Sequence, residues 1–306
     1  MFPINTPGGT GMRSALRRVL PCAHWLPGQN MRYTPHTRFD NNSTLTLHSM
    51  NEAETKFTIE RIESIQRRTL SLACFRTTRH ADFRFTPGHY ARLGLGHDSD
   101  VVWRPYSIAS AANSGHLEFQ ITLVPGGAFS ELFAKAEIGD TIRVDRRCFG
   151  FLTLDQLASG GSLWLLATGT GLAPFLSIIA DAATWARHTR VILVHSVRHA
   201  AELMPDAIDT AVSHLPESER QRLSVISIVT RESAPDALGA RLGILIQSGA
   251  LEKKAGLCLD PSGSRVMLCG NPEMIREVRQ LLKDRGFAAG RRGTPGQFSA
   301  EGYWQR

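Results

Sequence analysis

Near residue 154 the hydrophobic pattern of this chain changes its period, and that change restricts the fold more than any other feature. From Phe57 to about Leu154, short β-type segments follow one another: TLSLACFR, HYARLGLG, RPYSIAS, HLEFQITLV and DTIRVD. Turn residues separate them at fairly regular spacing, which predicts an antiparallel barrel. One helical interruption, Phe129 to Ala134, follows the loop VPGG and sets Phe129, Leu132 and Phe133 on one side. After Leu154 each strand precedes a helix: LWLLAT then APFLSIIADAATWA, VILVHS then a helix around Ala201, LSVISIV then RLGILIQSG, and VMLCG then PEMIREVRQLLKD. Such alternation builds a parallel sheet from βαβ units. The boundary falls in the polar segment DQLASGGS, giving regions 51–154 and 155–306, with no internal repeat in either.

At 306 residues and 42% hydrophobic content the chain can fill two cores. Its five cysteines (Cys22, Cys74, Cys148, Cys258 and Cys269) are odd in number and scattered, with no C-x-x-C pair. That spacing speaks against a disulfide framework, a zinc knuckle or a built-in iron–sulfur cluster, and no metal site is expected. Of the net charge of +7, residues 1–49 contribute +4, from Arg13, Arg17, Arg18, Arg32 and Arg38 against Asp40. The body is left with +3, which favours an acidic partner and argues little for nucleic acid. Residues 1–50 lack periodicity and read as a disordered tail, a targeting segment or a misassigned start ahead of Met50. The uncharged stretch Leu163 to Ala180 has the length of a short membrane span. Gly169, Thr170, Gly171 and Pro174 divide it into a strand, a turn and a helix start, so no membrane span is expected.

Four groups of residues carry chemistry. Arg104-Pro105-Tyr106-Ser107 opens a strand, and Gly127-Ala128-Phe129-Ser130 opens the short helix about twenty residues later. A flavin dinucleotide needs a cation and amides for its pyrophosphate, an aromatic face for its ring and a hydroxyl near N5, and these two segments supply all three. Taken singly, Arg104 also reads as a surface ion-pair residue and Tyr106 as an ordinary strand residue. Ala167 to Pro174, with Gly169 and Gly171, joins the first strand of the α/β region to its helix, where glycines let a backbone approach a diphosphate. Arg198, Arg231 and Arg241 follow strands or open a helix at the carboxyl edge of the sheet, and guanidinium forks there suit a 2′-phosphate, with solvated surface arginine as the plain alternative. Cys269-Gly270-Asn271-Pro272-Glu273-Met274 lies at another carboxyl end; its thiol is either a nicotinamide contact or an inert buried cysteine. His195 and His199 read as a strand residue and a helix-face residue.

Together the segments RPYSIAS, VPGGAFS, LWLLATGTGLAPFLSI, VHSVRHAAEL, TRE, VMLCGNPEMIREV and AEGYW resemble bacterial ferredoxin–NADP(H) reductases of the flavodoxin/ferredoxin type, over about residues 53–304. The resemblance implies an antiparallel Greek-key barrel that binds FAD, followed by a Rossmann-like parallel-sheet domain that binds NADP. It implies electron transfer between NADPH and ferredoxin or flavodoxin in a monomeric, cytoplasmic enzyme. By that resemblance Arg104, Pro105, Tyr106, Ser107, Ala128, Phe129, Ser130, Thr170, Tyr303 and Trp304 hold FAD. Gly169, Gly171, Val197, Arg198, Thr230, Arg231, Arg241, Asn271, Pro272, Glu273 and Glu277 hold NADP. Ser107, Cys269 and Trp304 lie nearest the reacting atoms, with no general acid or base assigned. Two departures stand out: Gln305 and Arg306 follow the closing aromatic pair, and Gln120 replaces a tyrosine of a relative's flavin site. The competing readings are an NADH-dependent reductase serving a haem protein or oxygenase, a non-catalytic electron-transfer subunit, and a basic nucleic-acid-binding protein. The three arginines weigh against NADH, and the missing cluster cysteines weigh against a self-contained oxygenase reductase.

Overall fold

The computed structural model describes residues 56–97, 100–291 and 293–302. The expectations for residues 1–50, Tyr303 and Trp304 lie outside them.

Strands β1 (Phe57–Thr69), β2 (Leu72–Thr78), β3 (Tyr90–Leu95), β4 (Val102–Ser107), β5 (His116–Thr122) and β6 (Thr141–Phe149) form an antiparallel sheet in the order β4-β3-β6-β1-β2-β5. Its two edges meet at a bridge between Ile108 and Phe119, and the Ala109 amide donates to the Glu118 carbonyl at 2.8 Å, so the sheet closes. Helix α1 (Ala128–Ala134) sends Phe129 and Phe133 into the barrel core beside Phe75 and Phe119.

The 13-residue β1 is absent from the segments that the sequence marks, for a physical reason. Its buried residues are Thr58, Glu60 and Ile62, while Ile59 faces solvent, so its polarity runs against the usual alternation. Glu60 is tolerated inside because its carboxylate accepts from the Thr78 hydroxyl at 2.6 Å and from the His80 amide at 3.0 Å.

The second sheet is parallel throughout: β7 (Ser162–Thr168), β8 (Arg190–Val197), β9 (Leu223–Val229), β10 (Ser264–Gly270) and β11 (Phe298–Gly302), in the order β11-β10-β7-β8-β9. Because β8 and β10 both flank β7, the strand order reverses there, and the crevice beyond its carboxyl end is the natural ligand position. Helices α2 (Ala173–Ile179), α3 (Ala182–Arg187), α4 (Pro205–Val212) and α5 (Glu217–Arg220) follow β7 and β8. Helices α6 (Leu242–Gln247) and α7 (Ala250–Ala255) follow β9, and α8 (Pro272–Asp284) follows β10. The helix expected around Ala201 is a 3₁₀ turn, Ala200–Glu202; α4 begins at Pro205, where a missing amide hydrogen costs nothing. Neither β11 nor α7 is signalled by the sequence pattern.

Leu163, Leu165, Val191, Leu193 and Met267 pack on one face of this sheet with α2 and α4, whereas Trp164, Leu166, Ile192, Val194 and Leu268 pack on the other with α6 and α8. Leu72 and Ala109 of the barrel region belong to the first of these cores, so the barrel sits on that face. An ion pair from Arg68 to Asp206 and a 3.7 Å Cys74–Met204 sulfur contact reinforce the seam. Among the described residues no helix is long and apolar enough to cross a membrane, and no three potential metal ligands come together.

Candidate functional site

Two clefts open on the seam between barrel and parallel sheet, and Thr122 and Thr170 line both, their hydroxyl oxygens 3.3 Å apart. The first cleft, about 1010 Å³, is walled by aromatic side chains. Tyr90 and Phe149 stand 5.9 Å apart, and Tyr106 and Phe129 5.0 Å apart, between ring centroids. Tyr106 lines the cleft from β4, whose place at the end of the strand order also accommodates Pro105. Burial raises the Tyr106 phenol above its ordinary range and keeps it neutral. Arg104 is exposed at the rim and donates to the Trp103 carbonyl at 2.8 Å; Ser107 is buried beside it. Gly127, Ala128 and Phe129 line the cleft together with Ser130, whose hydroxyl accepts from the Val124 amide at 2.9 Å and pins the VPGG loop to α1.

Among the other lining residues, Gln120, Cys148 and Glu301 carry polar or titratable groups. On β5, Leu117, Phe119 and Ile121 point into the barrel, so Gln120 points outward, yet it is only 5% exposed and its Oε1 has no partner. Such an orphaned buried carbonyl costs about 1–3 kcal/mol and gives a bound group something to satisfy. Burial pushes the Cys148 thiol up to about 12, so it is no nucleophile. Glu301, on β11, faces Tyr90 and Gly150, and burial pushes its carboxyl up to about 7 against the lowering effect of the Phe151 amide. The signal for Glu301 was in the sequence, as the one acid in AEGYW. A large aromatic slot with an orphaned amide and a rim cation fits an isoalloxazine dinucleotide.

The second cleft, about 850 Å³, is lined by residues of the turns that follow β7, β8, β9 and β10. Thr168 leads from β7 into the 3₁₀ turn Gly169–Leu172, in which Gly169 has φ +53° and lines the cleft. Gly171 is buried beneath, where an added Cβ would fall 2.3 Å from the Cys269 carbonyl oxygen. The Thr168 hydroxyl accepts from the Asn271 amide at 2.7 Å, and the Asn271 side chain caps α8 by accepting from Glu273 and Met274. Arg198, Arg231 and Arg241, from three separate loops, all line the cleft. The Arg231 amide donates to the Arg198 carbonyl at 2.9 Å, and the Glu202 carboxylate accepts from the Arg198 and His199 amides, so the backbone carrying two of the guanidiniums is fixed. His199 caps the 3₁₀ turn and pairs with Glu232 at 3.6 Å.

The sequence matches two families in succession: the oxidoreductase FAD-binding domain over residues 56–148 and the oxidoreductase NAD-binding domain over 165–280. It is 37% identical over 253 residues to ferredoxin–NADP reductase A of Sorangium cellulosum, covering 80% of this chain and 89% of that one. It is 38% identical over 240 residues to the flavodoxin/ferredoxin–NADP reductase of Escherichia coli, covering 76% and 93%. The chain belongs to the ferredoxin–NADP reductase family. A Neisseria gonorrhoeae ferredoxin–NADP reductase solved with bound FAD and NADP superposes on this family member with a TM-score of 0.75, at 36% identity, over 81% of this chain and 99% of the other.

Of the positions expected from the sequence, this reductase brings Arg104, Pro105, Tyr106, Ser107, Ala128, Phe129, Ser130 and Thr170 to the first cleft. It brings Gly169, Val197, Arg198, Thr230, Arg231, Arg241, Asn271, Pro272, Glu273 and Glu277 to the second. Gly171 and Cys269 line neither. Cys269 is fully buried in the core of the parallel sheet, and its carbonyl, rather than its thiol, shapes the turn.

Proposed function

We propose that the chain is an FAD-dependent reductase that moves electrons between NADPH and ferredoxin or flavodoxin, working as a cytoplasmic monomer. On this reading residues 51–154 form the FAD-binding barrel and 155–306 the NADP-binding domain. The observation that carries it is the pair of clefts meeting at Thr122 and Thr170, one aromatic and one rimmed by three arginines. FAD held there would supply the electron chemistry, as a group able to take up two electrons and give them up singly.

The protein's own groups bind and orient. Tyr106 would offer a ring face to the flavin, Arg104 and the opening of α1 would hold its pyrophosphate, and Ser107 would supply a hydroxyl to the ring. Arg198, Arg231 and Arg241 grip the 2′-phosphate, which NADH lacks, so the preference for NADPH follows from charge-assisted bonds. Fixing both cofactors in one seam converts their encounter into a step between neighbours. Glu301, with a carboxyl near neutrality, is suited to hold or yield a proton at the flavin cleft.

The test is an anaerobic visible spectrum of the purified protein before and after NADPH and, separately, NADH. Flavin absorbance that bleaches quickly with NADPH and slowly with NADH is expected. A colourless protein that FAD cannot reconstitute would end this reading.

A further inference from the structure

Beneath the second cleft lies a histidine that the reading above leaves without a role. His195 is on β8, between Val194 and Ser196, and is 1% exposed. Since Val191 and Leu193 face the core shared with α2, the period of two puts the His195 ring on that same side, below the turn after β7. There its Nε2 lies 3.0 Å from the Gly169 carbonyl oxygen, while Nδ1 has no partner. A carbonyl needs a donor, so the proton sits on Nε2. Burial lowers the imidazole pKa to about 4, so the ring is a neutral donor across the physiological range.

We propose that His195 is a positioning residue for the nicotinamide nucleotide, acting through the Gly169 carbonyl. This rests on reading the second cleft as the NADP site. Gly169 stands in a left-handed conformation that its own strand does not enforce. Three attachments hold the turn: Gly171 packs on the Cys269 carbonyl, Thr170 meets Thr122 of the barrel, and His195 fastens the carbonyl of its first residue. The first two act on the residues beyond Gly169. The third bears directly on the Gly169 carbonyl, and so, together with the main-chain bonding of the 3₁₀ turn, on which way the Gly169–Thr170 peptide plane faces. The buried ring leaves Nδ1 unsatisfied while Nε2 bonds the Gly169 carbonyl, so its polar contact is directed at the turn that lines the cleft.

Two polar variants isolate the bond. In His195→Gln the side-chain amide nitrogen reaches as far as Nε2, whereas in His195→Asn it stops about one bond short. Both are prepared as FAD-loaded protein, and the readouts are NADP⁺ affinity by flavin difference spectrum, the rate of flavin reduction by NADPH, and electron release from dithionite-reduced enzyme to ferricyanide. The expected result is that Asn weakens NADP⁺ binding and slows reduction by about tenfold, one lost hydrogen bond, with FAD content and electron release unchanged. Gln restores both to within about threefold of wild type. Equal behaviour of Gln and Asn, or loss of FAD alongside NADP⁺ affinity in both, would overturn the role of His195. Failure of the wild type to bind NADP⁺ would instead remove the reading of the cleft.

Discussion

The cleft beside Tyr106 is lined by two pairs of aromatic rings, whereas the cleft beside Arg198 is lined by residues of strand-end turns, three arginines among them. On the proposed reading, the difference matches what each would hold. A flavin ring that stays bound needs area, which aromatic side chains supply, and a nucleotide that comes and goes needs directional contacts to phosphate, which turns and arginines supply. Substitutions should therefore do their damage in different currencies on the two sides: backbone shape in one, removed surface in the other.

The sharpest way to break this contrast is Gly171→Ala, because the new methyl would meet the Cys269 carbonyl at 2.3 Å and neither backbone can give. A loss of about 3 kcal/mol is expected, visible as a urea midpoint shift, and a neutral result would mean that the turn is not rigidly packed. Next in size is Arg231→Ala, with the NADPH KM raised roughly thirtyfold and the NADH KM changed less than about twofold. Equal effects on both nucleotides would detach Arg231 from the 2′-phosphate. On the aromatic side, Tyr106→Ala should weaken FAD about tenfold in an apoprotein titration while Tyr106→Phe stays near wild type, since the ring and not the hydroxyl is the contact. If Phe proves as weak as Ala, the cleft is polar in function.

The smallest effect concerns pH. The Glu301 carboxyl is pushed up to about 7 in the folded apoprotein, above its ordinary value near 4.5, so the folded state holds the proton more tightly than the unfolded state. Stability from this group is complete below pH 4.5 and is lost as pH rises towards 7. Partial exposure limits the loss to about 1–2 kcal/mol. Urea midpoints measured from pH 5 to 8 should decline in the wild type relative to Glu301→Gln; parallel curves would show that the carboxyl is not desolvated.

The same contrast governed what could be read from sequence. The α/β half announced itself because its strands are buried on both faces and its ligand turns use glycine, proline and asparagine, residues with narrow backbone meaning. Its last strand, FSAEG, escaped notice because five residues of mixed size carry no period. In the barrel, β1 was invisible because Thr58 and Glu60 take inward positions and Ile59 an outward one. Residues in distinctive combinations, Arg104 with Tyr106 or Arg198 with Arg231, were singled out from sequence and do line the clefts. Thr122 and the contact made by His195 were not, since each depends on a partner on a distant turn. For Cys269 the spacing placed it at the correct strand end but could not tell on which face of the sheet its thiol would fall.

The edge position of β11 bears on how the protein comes into being. Ser299 donates to the Phe151 carbonyl across 148 positions, and Glu301 and Gly302 complete the wall of a cleft otherwise made by residues 89–170. On the ribosome the barrel emerges well before that wall exists, so a flavin met early would find a slot open on one side. On the proposed reading, firm retention of FAD is expected only once β11 has docked, so the colour of a preparation would count finished molecules rather than folded barrels.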